Sequence, residues 1–357
     1  MLIFLNKYLF LNMNIIFYIP YRMILSLLTS FFISLYMMPY LICFLEKYKK
    51  FQIIRHNGPK KHYLKQNIPT MGGIIIIFSI FFSTMIYCNL SNIDIWLIIS
   101  ILITYGIIGF IDDYKKIKHK NSQGLKLIWK YFWMSIYAIF LIYIIQYNTP
   151  NIFFTQLIIP FHIKNTFEVY YLYIFLSYFV IVGTSNAVNL TDGLDGLAIM
   201  PVIFAISGFA LISLFSDNIN NSNYLNIAYV KDSSELAILC SAIIGSGLGF
   251  LWFNSYPAKI FMGDVGSLSL GGVLGTIAIL LHQQLLLVIM GGIFVCEAIS
   301  VILQILSFKI RKKRMFKMAP IHHHYEEKGI LEPLIIVRVW IISFIFVLIG
   351  LISLKVC

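Results

Sequence analysis

The stretch Ile95-Trp96-Leu97-Ile98-Ile99-Ser100-Ile101-Leu102-Ile103-Thr104-Tyr105-Gly106-Ile107-Ile108-Gly109-Phe110-Ile111 runs straight into Asp112-Asp113-Tyr114-Lys115-Lys116. Its uncharged part is long enough for a helix that crosses a bilayer. The carboxylates and lysines that end it mark a water-facing rim, because ionised groups are costly beside lipid. The same pattern recurs along the chain. Apolar runs fall at Met23–Phe44, Gly72–Tyr87, Ile95–Ile111, Leu127–Tyr147, Val169–Gly183, Leu197–Phe215, Leu236–Phe253, Val265–Leu281, Leu285–Phe308 and Leu334–Leu354. These predict an all-α polytopic integral membrane protein with ten transmembrane helices. Nothing is left over for a soluble domain, so residues 1–357 read as one domain.

Composition agrees. The chain is 59% hydrophobic and 12% charged, with a mean hydropathy of +0.85. Its partner is the lipid bilayer. The net charge of +12 is explained by the positive-inside rule, and no nucleic-acid partner is expected. Ten spans put both termini on one side. Segments 45–71, 112–126, 184–196, 254–264 and 309–333, with Lys130 at a helix start, hold 21 of the 27 Lys and Arg. These segments are therefore cytoplasmic, and the termini face the opposite side. Cys43, Cys88, Cys240, Cys296 and Cys357 lie in or beside apolar runs and read as small buried hydrophobes without disulfides. Residues Met1 to Pro20 lack a cleavage pattern and read as an interfacial helix.

The polar chemistry sits in those cytoplasmic segments. Adjacent Asp112 and Asp113 point about 100° apart on a helix, so one can meet a metal while the other serves a proton or a second ligand. Lys116, three residues after Asp113, shares its face and can meet a phosphate. The stretch Ser185-Asn186-Ala187-Val188-Asn189-Leu190-Thr191-Asp192-Gly193-Leu194-Asp195-Gly196-Leu197 repeats an oxygen-bearing side chain every three residues. If that turn is helical, Asn189, Asp192 and Asp195 share a face. Asn254 and Phe261-Met262-Gly263-Asp264-Val265-Gly266-Ser267 follow, with Asp264 either capping a helix or serving a ligand. The first inside loop offers Arg55 to His62, then Lys65 and Pro69-Thr70-Met71-Gly72-Gly73, and Lys130 opens the fourth span. The basic run Lys309 to Lys317 precedes Ala319-Pro320-Ile321-His322-His323-His324. Three consecutive histidines cannot converge on one metal from a regular helix. Phosphate or proton handling fits them better, with a zinc site as the alternative. Glu297, inside the ninth span, is either a functional acid or a partnered structural one. Carboxylates with few soft ligands select Mg²⁺ or Mn²⁺, and beside cationic side chains they suit a diphosphate substrate. No GxxxxGK[ST] motif occurs, which argues against ATP hydrolysis.

These motifs together resemble the phospho-N-acetylmuramoyl-pentapeptide-transferase family, within the polyprenyl-phosphate N-acetylhexosamine-1-phosphate transferase superfamily, over essentially the whole chain. Asp112-Asp113 with Lys116 and the Asn189/Asp192/Asp195 turn carry the superfamily likeness. The Pro69–Gly73, Phe261–Ser267 and Ala319–His324 stretches carry the family likeness. Asn67-Ile68 departs from the family's usual Gly-Thr. The resemblance implies a homodimer in the bacterial inner membrane, with a cytoplasm-facing cleft and periplasmic termini. It implies Mg²⁺ and transfer of phospho-N-acetylmuramoyl-pentapeptide from the UDP-linked donor to undecaprenyl phosphate, releasing UMP. It assigns Asp264 and Asn189 to the metal, and Asp112, Asp113, Asp264, His323 and His324 to catalysis. Lys65, Thr70, Lys116, Lys130, Asn186, Asn189, Asp192, Asp195, Asn254, Phe261 and His322 are assigned to substrate binding. Two alternatives stand beside this reading. One is a transferase using UDP-N-acetylglucosamine; the other is a cation-coupled transporter, whose acids would lie mid-span.

Overall fold

A computed structural model describes residues 18–48, 51, 65, 68–119, 121, 124–148, 156–161, 167–168 and 170–355. The helices are α1 (Ile19–Lys47), α2 (Gly73–Tyr87), α3 (Ile93–His119), α4 (Leu127–Asn148), α5 (Tyr170–Thr191), α6 (Ile199–Ser216), α7 (Ile219–Leu225), α8 (Ser234–Asn254), α9 (Gly263–Leu280), α10 (Gln284–Met290), α11 (Gly292–Arg311), α12 (Ile321–Glu326) and α13 (Glu332–Ser353). Among the described residues nine helices are long and apolar enough to cross a membrane, and α2 is a shorter apolar one. Each of the ten expected spans falls on helix. A two-residue antiparallel ladder, β1 (Gln156–Leu157) with β2 (Phe167–Glu168), is the sole described exception to the all-helical architecture besides an isolated bridge between Phe51 and Pro69.

Burial runs from the middle outward. Helix α9 is the hub, enclosed by α5, α3 and α2, while α8 packs on α1 and α6. Helices α1, α11 and α13 turn most of their surface outward, as lipid-facing helices must. Lipid gives apolar helices no hydrophobic reason to associate, so close packing and hydrogen bonds must hold them. The α1–α8 contact illustrates this. Ser26, Ser30 and Ser34, four residues apart, are all buried on α1. They face Gly245 and Gly249 of α8, where any side chain would strike the α1 backbone. Ser79 and Ser246 join α2 to α8 at 2.6 Å, and Ser26 and Ser83 join α1 to α2 at 3.0 Å.

Several expectations change. The ninth span, Leu285–Phe308, is not continuous: it breaks at Gly291 into α10 and α11. The third and fifth spans run on beyond their apolar stretches, to His119 and Thr191. This keeps Asp112 and Asp113 on helix as their spacing implied, and places Asn186 and Asn189 inside α5 rather than in a connecting segment. Polarity ended the apolar pattern before it ended the helix, since none of these residues forbids helical backbone. Cys88 and Cys240 are buried as expected, but Cys43 and Cys296 are exposed on outer helix faces, where a small apolar thiol suits lipid. The expected interfacial helix at the N-terminus and the Arg55–His62 cluster lie outside the described residues.

Candidate active site

Three elements converge at one end of the bundle. Gly109 of α3 lies against the backbone of Asp264, so closely that a side chain there could not fit. That approach carries the next turn of α3, with Asp112 and Asp113, to the first turn of α9. Carboxylate oxygens of Asp112, Asp113 and Asp264 all lie within 4.8 Å of one another. Two charges at that spacing repel by roughly 3–4 kcal/mol at an effective dielectric near 20. Cations offset this. Lys116 Nζ contacts Asp112 at 2.5 Å, Asp264 at 3.1 Å and Asp113 at 3.5 Å. Lys130 Nζ, from the first turn of α4, donates to Asp264 at 2.6 Å.

The adjacent aspartates do not divide between directions as the helix geometry suggested. Both side chains bend toward the shared ammonium of Lys116, whose attraction outweighs the angular offset of their Cα atoms. Asp112 also accepts the Leu125 N–H at 2.7 Å, and Asp113 the Val265 N–H at 3.3 Å. Asp264 is not a helix cap. The cap position is Met262, and Asp264 instead spends both oxygens on side chains. Its Oδ1 accepts from Asn189 Nδ2 at 2.9 Å, and Ser267 Oγ accepts from the same nitrogen at 2.8 Å. The Asn189 amide oxygen is thereby turned away from Asp264. Thr70 Oγ1 joins the cluster from below, lying with Asp113 against the Cα of Gly263, whose φ is +73°.

A second set of residues forms beside this one. Helix α5 ends at Thr191, so Asn189, Asp192 and Asp195 do not share a helical face. Gly196, with φ +69°, helps turn the chain out of the helix. Asp195 accepts from Lys65 Nζ at 2.6 Å and from the Ala258 N–H at 2.9 Å. Lys65 also donates to Glu332 Oε1 at 2.6 Å. Burial opposes the charge on Lys65, but Asp195 and Glu332 prevail and hold its pKa above the usual lysine value. Asn254 Oδ1 accepts the Gly196 N–H at 2.9 Å, and its Nδ2 donates to Ile260 O at 2.8 Å. Asp192 stands between the two sets. Desolvation, and then the charges of Asp264, Asp113 and Asp195, push its carboxyl up to about 8.

The histidines part company. His322 is buried, with Nδ1 3.0 Å from Glu297 Oε1. Among the described residues its Nε2 has no partner, and it lies where a side chain on Gly193 would be, beside the Asp192 turn. His323 Nδ1 pairs with Glu326 at 2.7 Å. His324 Nδ1 accepts the Lys317 N–H at 3.1 Å, which requires the neutral ring. Desolvation, Lys328 and Lys317 lower its pKa and favour that neutral form. The zinc alternative therefore has no geometric basis in the triplet. Two other assigned residues do not converge: Asn186 bonds its own helix through Val182 O at 2.7 Å, and Phe261 contributes backbone, bonding Pro69 O and Gly72 N at 2.9 Å each. Glu332 and Ser267 were missed. Ser267 closes the Phe261–Ser267 motif, but its partner Asn189 lies 78 residues away, and Glu332 sits in no quoted motif, with partners 137 to 267 residues away.

A set of carboxylates at span ends, with lysines shared between them, is not the mid-span ion path of a transporter. Comparison with known sequences decides the rest. The Glycosyl transferase family 4 model matches residues 95–282, and phospho-N-acetylmuramoyl-pentapeptide-transferase signature 1 matches residues 65–77. The chain belongs to the phospho-N-acetylmuramoyl-pentapeptide-transferase family. Relatives of that name from Buchnera aphidicola subsp. Acyrthosiphon pisum, strains Tuc7 and APS, are each 75% identical over 357 residues, covering 100% of both chains. The transferase signature spans Asn67-Ile68, so that departure does not remove the first-loop motif. In this family member the candidate site thus draws on α3, α4, α5 and α9 together, with Lys65, Thr70 and the His-bearing α12 beside it.

Proposed function

We propose that this membrane protein transfers phospho-N-acetylmuramoyl-pentapeptide from UDP-N-acetylmuramoyl-pentapeptide to undecaprenyl phosphate, releasing UMP. The whole chain acts as one integral membrane domain, forms a homodimer, and opens its cleft to the cytoplasm of a bacterial inner membrane. The observation that carries the reading is the union of Asp112, Asp113 and Asp264 with Lys116 and Lys130 at one rim. Such a cluster suits two phosphate-bearing substrates, one reaching it from water and one from lipid.

The three carboxylates within 4.8 Å fit a hard divalent cation, because they already gather around an ammonium. Mg²⁺ held by Asp264 with the neighbouring aspartates would neutralise charge on the donor diphosphate, and the Asn189 oxygen would join them only if its amide turned over from its present bond to Asp264. The chain's own groups do the positioning. Lys116 and Lys130 exchange some of their carboxylate contacts for phosphate oxygens and hold the two substrates in line. An oxygen of the lipid phosphate attacks the sugar-linked phosphorus, a new P–O bond forms, and the bond to UMP breaks. Asp112 orients the attacking phosphate and can take its residual proton, with Asp113 in support. Asp195, Asn254 and Lys65 shape the nucleotide side with Asp192. Thr70 and the His322–His324 helix line the phosphate side.

Purified protein tests this with each UDP-sugar, polyprenyl phosphate and Mg²⁺, scoring UMP release and label entering lipid. The proposal expects equal UMP and lipid-linked label from the muramoyl-pentapeptide donor. Turnover confined to UDP-N-acetylglucosamine would replace it with the alternative substrate.

A further inference from the structure

Helix α11 ends in a run that the transfer site does not use. Lys309, Arg311, Lys312, Lys313 and Arg314 are all exposed, and none forms an ion pair with a described acidic residue. The exposed apolar side chains of Phe308, Ile310 and Met315 are interleaved with them. The positive-inside rule accounts for the sign of this charge, but a loose segment would satisfy that rule equally well. Here the segment is fixed. Lys312 takes a left-handed backbone, φ +54°, and reverses the chain. Gln304 then clamps the returning strand three times: its Oε1 accepts the Met315 N–H at 3.1 Å and the Phe316 N–H at 2.8 Å, and its Nε2 donates to Phe316 O at 3.0 Å. Ser307 adds a fourth bond, to Lys313 O at 2.9 Å. Lys317 N–H and the Phe316 ring join the same loop to His324. A rigid cationic loop, studded with apolar side chains, is therefore held at the end of a lipid-facing helix.

We propose that the Lys309–Arg314 loop is a docking surface for the anionic phospholipid headgroups of the surrounding leaflet. Five cations spread along a folded-back loop match a field of phosphates better than one monophosphate. Phe308, Ile310 and Met315 reach the acyl boundary while the cations meet the headgroups above them. Its link to His324 makes this lipid contact continuous with the wall of the transfer site.

The test uses the full chain in phosphatidylcholine vesicles carrying a trace of spin-labelled phosphatidylglycerol or spin-labelled phosphatidylcholine, with neither reaction substrate present. The outcome is thus independent of the transfer assay. The native chain should immobilise phosphatidylglycerol several-fold over phosphatidylcholine, and salt should weaken that preference. Glutamine at all five positions should lower the preference at least twofold. Lys312→Gln with Lys313→Gln and Arg314→Gln, outside the helix, gives a milder variant in which a partial loss is expected. Gln304→Leu keeps every charge but frees the loop, and should also lower the preference. Lys115→Gln with Lys118→Gln, exposed elsewhere on the same rim, should lower it less per charge. An unchanged preference in the five-site variant would overturn the proposal, as would an equal loss per charge at Lys115 and Lys118. An unchanged preference in Gln304→Leu would overturn the fixed surface.

Discussion

Two buried ionic sites stand at opposite ends of this bundle, and they are built on opposite rules. At one end Arg22 of α1 meets Glu235 of α8 in a fork, with contacts of 2.7 and 3.0 Å. Tyr87 O and the Asn89 N–H complete it at 3.1 and 2.8 Å. One cation answers one anion, and the pair ties α1, α2 and α8 together. At the other end three aspartates share two lysines, and Asp264 alone takes both. The first arrangement balances its charges within the protein. The second keeps excess negative charge and movable ammonium groups, which is what an arriving metal and diphosphate can use.

The contrast breaks most directly at Asp264. Asp264→Asn should cut turnover by about a thousandfold or more, unrescued by excess Mg²⁺, while the protein remains folded. Near-normal steady-state rates would make the shared cluster as structural as the far pair. Arg22→Met is the mirror experiment. It leaves Glu235 buried without its cation and should cost about 3–5 kcal/mol of stability. Denaturation in detergent reads that loss, and the turnover of the folded fraction should stay close to native.

Much of this was legible in the sequence. The ten apolar runs each fell on helix, though the ninth hid the break at Gly291, and Asp112-Asp113 with Lys116 shared a local cluster through helical spacing. Periodicity is local, however. It could not place Lys130 on Asp264, 134 residues away, or Glu332 on Lys65, 267 residues away. The three-residue repeat of Asn189, Asp192 and Asp195 misled for a physical reason: the helix ends at Thr191, before the pattern does. The histidine triplet looked like one functional unit. Burial separated it, because only His322 lies inward, against Glu297.

Smaller effects sharpen the comparison. Glu297→Gln should lower kcat about tenfold to a hundredfold with little change in KM, by loosening His322 beside the Asp192 turn. A stability loss without a kinetic one would move Glu297 to the structural side, with Arg22. Asp113 is the least well partnered of the three aspartates, and Asp113→Asn should raise stability by about 1 kcal/mol while lowering activity, a trade the far pair would never show. Asp192 gives a signal of a different kind, read in the pH dependence of stability. The unfolded chain loses this proton near pH 4, whereas the folded chain holds it up to about pH 8. Its contribution to stability therefore falls as pH rises between those values and levels off above them. Asp192→Asn should flatten that part of the melting-temperature profile, and an unaltered slope would remove Asp192 from the charged neighbourhood assigned to it.

The most direct measurement is a single-turnover quench with donor labelled in its sugar phosphate. The account predicts that label passes to lipid in one step, with one UMP per lipid product and none released before undecaprenyl phosphate is added. Label trapped on the protein, with UMP freed in the absence of lipid, would contradict direct attack at the Asp112/Asp113/Asp264 rim.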